Sequence, residues 1–212
     1  KVITTTIVKD PWNSQTYDPC ESMVKWTKKA DGTLEFDYTD FDNYVSFCMG
    51  LGIGDQINCY SMVPWGNRIY YYDEAQGKEV YIQPTPGSDT FNEYWGAFLE
   101  SFVSHLTEKG WLDKTFIAMD ERSVSDMNAV ISLVHQASDK LRISGAMNYS
   151  GLGNLVDNVD DMSVSISHVG DNFRQMAETR RQNGQNTTIY TATGAYPNNF
   201  TRSKPAENSW IG

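Results

Sequence analysis

Strand-like and helix-like periods alternate along nearly the whole of this 212-residue chain, and no other feature restricts its fold so strongly. VITTTIV (2–8) is β-branched throughout and reads as a strand. Phe41, Tyr44, Val45, Cys48 and Met49 recur at helical spacing, with Asp40 as the expected N-cap. QINCYSMV (56–63) reads as a second strand. Phe91, Tyr94, Trp95, Phe98, Leu99, Phe102, Val103 and Leu106 mark a long amphipathic helix. Thr90 and Glu93 have capping-box spacing at its start, and Gly110 stands where it should stop. TFIAM (115–119), RISGAM (142–147), MSVSISH (162–168) and TTIYTAT (187–193) supply four more strands. Met127, Val130, Ile131 and Val134 mark a helix that residues 123–126 can cap. Phe173, Met176 and Ala177 mark another, stopped by Gly184.

Strands separated by helices imply an α/β fold, with parallel strands inside and helices outside. Two long segments, 9–39 and 64–89, follow the first two strands and are rich in Pro, Gly, Trp and Tyr. Their position puts them at the C-terminal ends of the strands, where parallel-sheet enzymes build their sites.

The charge balance narrows the partners. A net charge of −10 repels nucleic acid and anionic membranes, and no basic stripe compensates. No apolar run approaches the roughly 18 residues that a membrane helix needs. A neutral small molecule or a glycan remains. No signal peptide is visible, so the chain is expected either to be cytoplasmic or to have lost its N-terminus. Cys20, Cys48 and Cys59 are odd in number and widely spaced, which argues against a disulfide framework or a zinc knuckle.

Several motifs fall away on inspection. GLGIGD (50–55) follows a helix and precedes a strand, the reverse of what a dinucleotide loop requires. DNVDD (157–161) lacks calcium-loop spacing. The three histidines form no HxH or HxxxH pair, so no metal site is expected. A nucleophile elbow of the GxSxG type is absent.

What remains is Asp120 and Glu121, adjacent acids directly after the apolar run TFIAM. Desolvation and mutual repulsion make such a pair costly at the end of a buried strand. One reading is structural: Asp120 caps the next helix and Glu121 pairs with Arg122 in solvent. The other is catalytic. Neighbours in a strand point to opposite faces, so both acids reach one pocket only if the strand ends at about Asp120 and the chain turns. Ordinary glycosidases place their two carboxyls on separate segments. An adjacent pair suits a different division of labour, in which one acid protonates the leaving oxygen and the other steadies a substrate group acting as nucleophile. The acetamide of a 2-acetamido sugar can fill that role.

INCYSMVPW, YYDEAQGKEVYI, HLTEKGWLDKTFIAMDERSVSDM and YPNNFTRSKPAENSWIG resemble the catalytic barrel of glycoside hydrolase family 123, including related bacterial domains of unknown function. The likeness runs over nearly the whole chain, and the Asp-Glu pair is its most specific element. It implies a TIM-type (β/α)8 barrel, here one partial barrel domain over 1–212, with six strands corresponding to the second through seventh. By the same likeness, the family's N-terminal β-sandwich and its first and last barrel strands are expected to lie outside this chain. The likeness further implies substrate-assisted, retaining removal of terminal β-N-acetylgalactosamine, with Asp120 orienting the acetamido group and Glu121 as general acid/base. Many relatives carry proline after the pair. Arg122 stands there in this chain, which bears on the substrate more than on the chemistry. No cofactor and no metal are implied. A periplasmic, outer-surface or secreted bacterial location is.

Trp65, Asn148 and Tyr149 follow predicted strands, His168 ends one and Tyr190 lies within the last, and all five are expected to line the cleft. A sugar needs an aromatic face and a few fixed donors, and Tyr149 or Tyr190 is the expected donor to the acetamide oxygen. Two unpaired barrel edges would favour self-association. Two alternatives stay open: a non-catalytic glycan-binding relative, and an inactive fragment of a larger enzyme.

Overall fold

The computed structural model describes residues 1–191. The end of the last predicted strand, 192–193, and the stretch YPNNFTRSKPAENSWIG lie outside the described residues. The chain divides into two compact units, Lys1–Ile143 and Ser144–Gly212.

The first unit contains β1 (Val2–Thr6), β2 (Lys25–Lys28), β3 (Leu34–Asp37), α1 (Thr39–Gly50), β4 (Gln56–Tyr60), β5 (Ile69–Asp73), β6 (Lys78–Ile82), α2 (Asp89–Lys109), β7 (Thr115–Asp120) and α3 (Val124–Ala137). β1, β4 and β7 lie side by side and parallel, with Ile3 opposite Ile57 and Cys59 opposite Ile117. Their C-terminal ends therefore share one edge.

Between these strands stands an element that hydrophobic periodicity did not reveal. β3, β2, β5 and β6 form a second sheet in that order, antiparallel except for the β2–β5 pair. It occupies segments read from sequence as loops. Its strands are only four or five residues long and only partly buried, so neither alternation nor an apolar run announces them. The Asp31-Gly32 turn, with Gly32 at φ 92°, was the available signal.

The small sheet is anchored by aromatics. Trp26 stacks on Phe98 of α2 with ring centres 4.9 Å apart, meets Trp95 edge-on, and donates its indole N–H to the Ile7 carbonyl at 2.9 Å. Each such ring buries on the order of 150–250 Å², which explains why α2 carries so many. That helix is capped by Ser88, whose hydroxyl accepts from the Phe91 amide, rather than by Thr90 with Glu93. It ends at Gly110 in the left-handed region, as expected. α1 likewise starts one residue before Asp40, with Tyr38 at the cap position.

The second unit takes up β8 (Arg142–Met147) from Ser144 and continues with α4 (Leu155–Asn158), β9 (Asp161–Ser165), α5 (Phe173–Gln182) and β10 (Asn186–Tyr190). β9 pairs in parallel with β8 on one side and β10 on the other. Arg180 is buried at its centre. It donates to the carbonyls of Val156, Val159 and Asn186 and to the Thr187 hydroxyl. A guanidinium with its donors matched in this way can be buried at a cost that its hydrogen bonds offset.

All six strands read from sequence are present, in two parallel sets of three, and the fold is α/β. The described residues do not contain the eight strands of a closed barrel. No helix among them is long and apolar enough to cross a membrane.

Candidate active site

β7 is apolar because it is covered on both sides. Thr115 through Met119 are all buried, and burial stops at Asp120. Glu121 then adopts φ 52°. A non-glycine residue in the left-handed region costs roughly 1–2 kcal/mol, and such residues concentrate at functional sites. The turn supplies what strand geometry withholds, since it breaks the alternation that would send the two neighbouring side chains to opposite faces.

The structural reading of the acids does not hold for Asp120. α3 is capped by Ser123, which accepts from the Asp126 amide and donates to the Asp126 carboxylate at 2.8 Å. Asp120 instead accepts from Trp65, whose indole Nε1 lies 2.9 Å from Oδ2. Trp65 is brought there by the loop after β4, and its own amide donates to the Pro11 carbonyl at 2.8 Å. The loops after β1 and β4 thus brace each other at the edge where β7 ends.

Arg122 closes the arrangement. Its Nε–H donates to the Asp120 carbonyl at 2.9 Å, and its guanidinium carbon sits 4.4 Å from the centre of the Trp65 ring. Only the structural reading of the acids gave this arginine a partner, Glu121 in solvent. An arginine two residues beyond a strand-end acid, with a tryptophan elsewhere, carries no local signal for this stacking. Trp65 therefore presents one face to Arg122 and its N–H edge to Asp120, and it remains about one-third exposed.

The Asp120 carboxyl is held above the usual aspartate range. Burial is the main cause, and the neighbouring Glu121 charge adds to it. The Trp65 hydrogen bond and the Arg122 charge act in the opposite direction. Trp65→Phe keeps the ring but loses the N–H. The carboxyl should then titrate at still higher pH. If Asp120 works ionised, the acidic limb of the kcat/KM profile shifts upward. Measured profiles that superimpose would show that Asp120 does not limit activity at low pH.

The remaining predicted residues belong to the second unit. Asn148 and Tyr149 directly follow β8, and the Tyr149 hydroxyl donates to the Met147 sulfur at 3.3 Å. His168 closes the 3-10 turn Ile166–His168 after β9 rather than ending the strand. Its Nδ1 is buried and has no partner among the described residues. Tyr190 is the last residue of β10. All four therefore stand at or just beyond the C-terminal ends of that unit's parallel strands. Trp65, Asp120, Glu121 and Arg122 cluster in the first unit. A cavity of about 850 Å³ between β3 and α2, walled by Glu35, Asp37, Glu93 and Glu100, shares none of these residues.

The acid pair, the turn at Glu121 and the indole bond can be set beside known proteins. A family model described as "Glycoside hydrolase 123, catalytic domain" matches residues 1–212. The chain is 45% identical to a solved family 123 glycoside hydrolase from Clostridium perfringens, reported for glycolipid glycan hydrolysis, with a TM-score of 0.88. The match covers 98% of this chain and 38% of that one, so this chain spans well under half the length of that enzyme. No curated protein matches. The chain belongs to glycoside hydrolase family 123, and the matched region is its catalytic domain.

Proposed function

We propose that this chain carries the acid/base centre of a glycoside hydrolase that removes a terminal 2-acetamido sugar of the N-acetyl-β-galactosamine type, with retention and with help from the substrate. One observation supports this most: adjacent acids at the end of a buried strand, with the second turned into the left-handed region and the first tied to an indole. Two carboxyls on one segment fit poorly with direct attack by one of them, and well with the division of labour in substrate assistance.

The steps follow from the groups. The acetamide oxygen attacks C1 as the bond from C1 to the leaving oxygen breaks, and Glu121 gives its proton to that oxygen. A positively charged bicyclic oxazolinium results. Asp120 accepts a hydrogen bond from the acetamide N–H and opposes the charge growing on nitrogen. Trp65 holds Oδ2, so Oδ1 is the oxygen that faces the substrate. Water then attacks C1, gives a proton to Glu121 and reopens the ring, restoring the acetamide. Two inversions at C1 leave the configuration retained. Asn148, Tyr149, His168 and Tyr190 are proposed as further sugar-binding residues, with a tyrosine hydroxyl as the donor to the acetamide oxygen. A glycolipid glycan, as in the Clostridium perfringens relative, is a fitting natural substrate.

The test is a panel of aryl β-glycosides assayed on the full-length protein, with 2-acetamido and 2-hydroxy sugars in both gluco and galacto forms. Turnover confined to the 2-acetamido members is expected. Equal turnover of 2-acetamido and 2-hydroxy sugars would exclude substrate assistance. Binding of the sugars without turnover would support a non-catalytic relative.

A further inference from the structure

A second pair of polar side chains lies on the two loops that the Trp65 amide joins, and the mechanism above does not use it. Asp10 follows β1 and Arg68 follows the Trp65 turn, so both sit on loops at the edge where Asp120 stands. Asp10 Oδ1 is buried without a hydrogen-bond partner among the described residues, and so is Arg68 Nε. Their loops touch: the Trp65 amide donates to the Pro11 carbonyl, and Gly66 has Asn13 of the first loop and the Arg68 stem on either side of it, yet no ion pair within 4 Å joins the two charges. An aspartate oxygen and a guanidinium N–H, both buried, near each other and unjoined, are costly to maintain.

The surroundings hold them apart. Arg68 donates from Nη1 to the Tyr70 hydroxyl at 3.3 Å, and its guanidinium lies 4.8 Å from the Tyr81 ring centre. Asp10 is fixed by its backbone. It sits at φ 51°, its amide donates to the Cys20 carbonyl at 2.7 Å, and its carbonyl accepts from the Asn13 amide at 3.1 Å. The adjacent Pro11 carbonyl accepts from the Trp65 amide, which ties this loop to the residue that holds Asp120. Arg68 stands three positions after Trp65, and a chain of that length spans at most about 10 Å.

We propose that Asp10 and Arg68 form a hydroxyl-reading subsite for the far edge of the same sugar ring. A sugar hydroxyl donates one hydrogen bond and accepts others. One hydroxyl, or a neighbouring pair, therefore satisfies both groups at once. An anionic substituent would gain at Arg68 and lose at Asp10, so the ligand is neutral. In a pyranose whose 2-acetamido group faces Asp120, the edge remote from it carries the 4- and 6-hydroxyls. The pair would then choose the epimer at C4. This rests on the proposed function for the sugar's orientation.

Asp10→Asn and Arg68→Lys in the full-length protein test it. Asparagine tolerates the left-handed region at least as well as aspartate, so the backbone at position 10 is retained. The substrates are an aryl 2-acetamido galactoside and its 4-deoxy and 6-deoxy analogues. A hydrogen bond to a charged group is worth about 1.5–3 kcal/mol, or roughly 10–100-fold. The intact protein should discriminate against at least one deoxy analogue by that factor in kcat/KM. Either variant should lose most of that discrimination, acting on the intact sugar much as the intact protein acts on the deoxy one. Unchanged discrimination in two folded variants would overturn the proposal. Binding of the free sugars to Glu121→Gln, measured by calorimetry, gives a readout that needs no turnover. Loss there of the discrimination against the deoxy sugar on adding Asp10→Asn supports the subsite even if substrate assistance fails, and unaltered discrimination overturns it even if substrate assistance holds.

Discussion

Glu121→Gln should lower hydrolysis of an alkyl 2-acetamido glycoside by about 10²–10⁴-fold, the range for one general acid–base group, and spare much of the rate on a dinitrophenyl glycoside. An alkoxide cannot leave without a proton, whereas an activated phenolate can. The amide of glutamine matches the carboxyl in shape and accepts the same left-handed backbone, so the variant tests proton transfer and little else. A steep dependence of rate on leaving-group acidity in the variant, against a shallow one in the intact enzyme, is the expected pattern. A uniform loss across leaving groups would assign Glu121 some role other than general acid.

Asp120→Asn should behave differently, with an equal loss on activated and unactivated substrates of about 10²–10⁴-fold. The positive charge on the acetamide nitrogen grows in the transition state whatever the leaving group is, and a preorganised anion beside it acts on every substrate. A thiazoline that imitates the cyclised intermediate should bind the intact protein well and Asp120→Asn far more weakly. The fold should survive the change. Burial already holds this carboxyl above its normal range, so its charged form is disfavoured in the folded protein. Where the pH exceeds the raised folded value, the ionised carboxylate subtracts stability, and a neutral amide removes that cost. A thermal midpoint at or above that of the parent, together with the lost rate, is the expected combination. A variant that binds thiazoline undiminished would refute the role given to Asp120.

The helix ends show where local reading stops. Ser123 and Gly110 sit where capping rules put them. Ser88 displaced Thr90 because hydroxyl-bearing residues two apart offer nearly equivalent caps, and the choice between them was made by the approach of the chain. Ile7 and Val8, read as part of the first strand, are buried just beyond it. Their apolar character reports burial, which periodicity cannot separate from strand pairing.

The alternating periods, and the acid pair at the end of TFIAM, were legible because each depends on residues a few positions apart: a strand repeats every two residues and a helix every 3.6. That was enough to determine the α/β class and to single out Asp120 and Glu121. Tertiary structure alone decided that Trp65, 55 residues away, would bond Asp120, that Arg122 would stack on Trp65, and that one oxygen of Asp10 and the Nε of Arg68 would be buried without partners on adjoining loops. Those partners meet because loops from separate strands converge at one sheet edge. No sequence period records which side chain from one loop will face which from another.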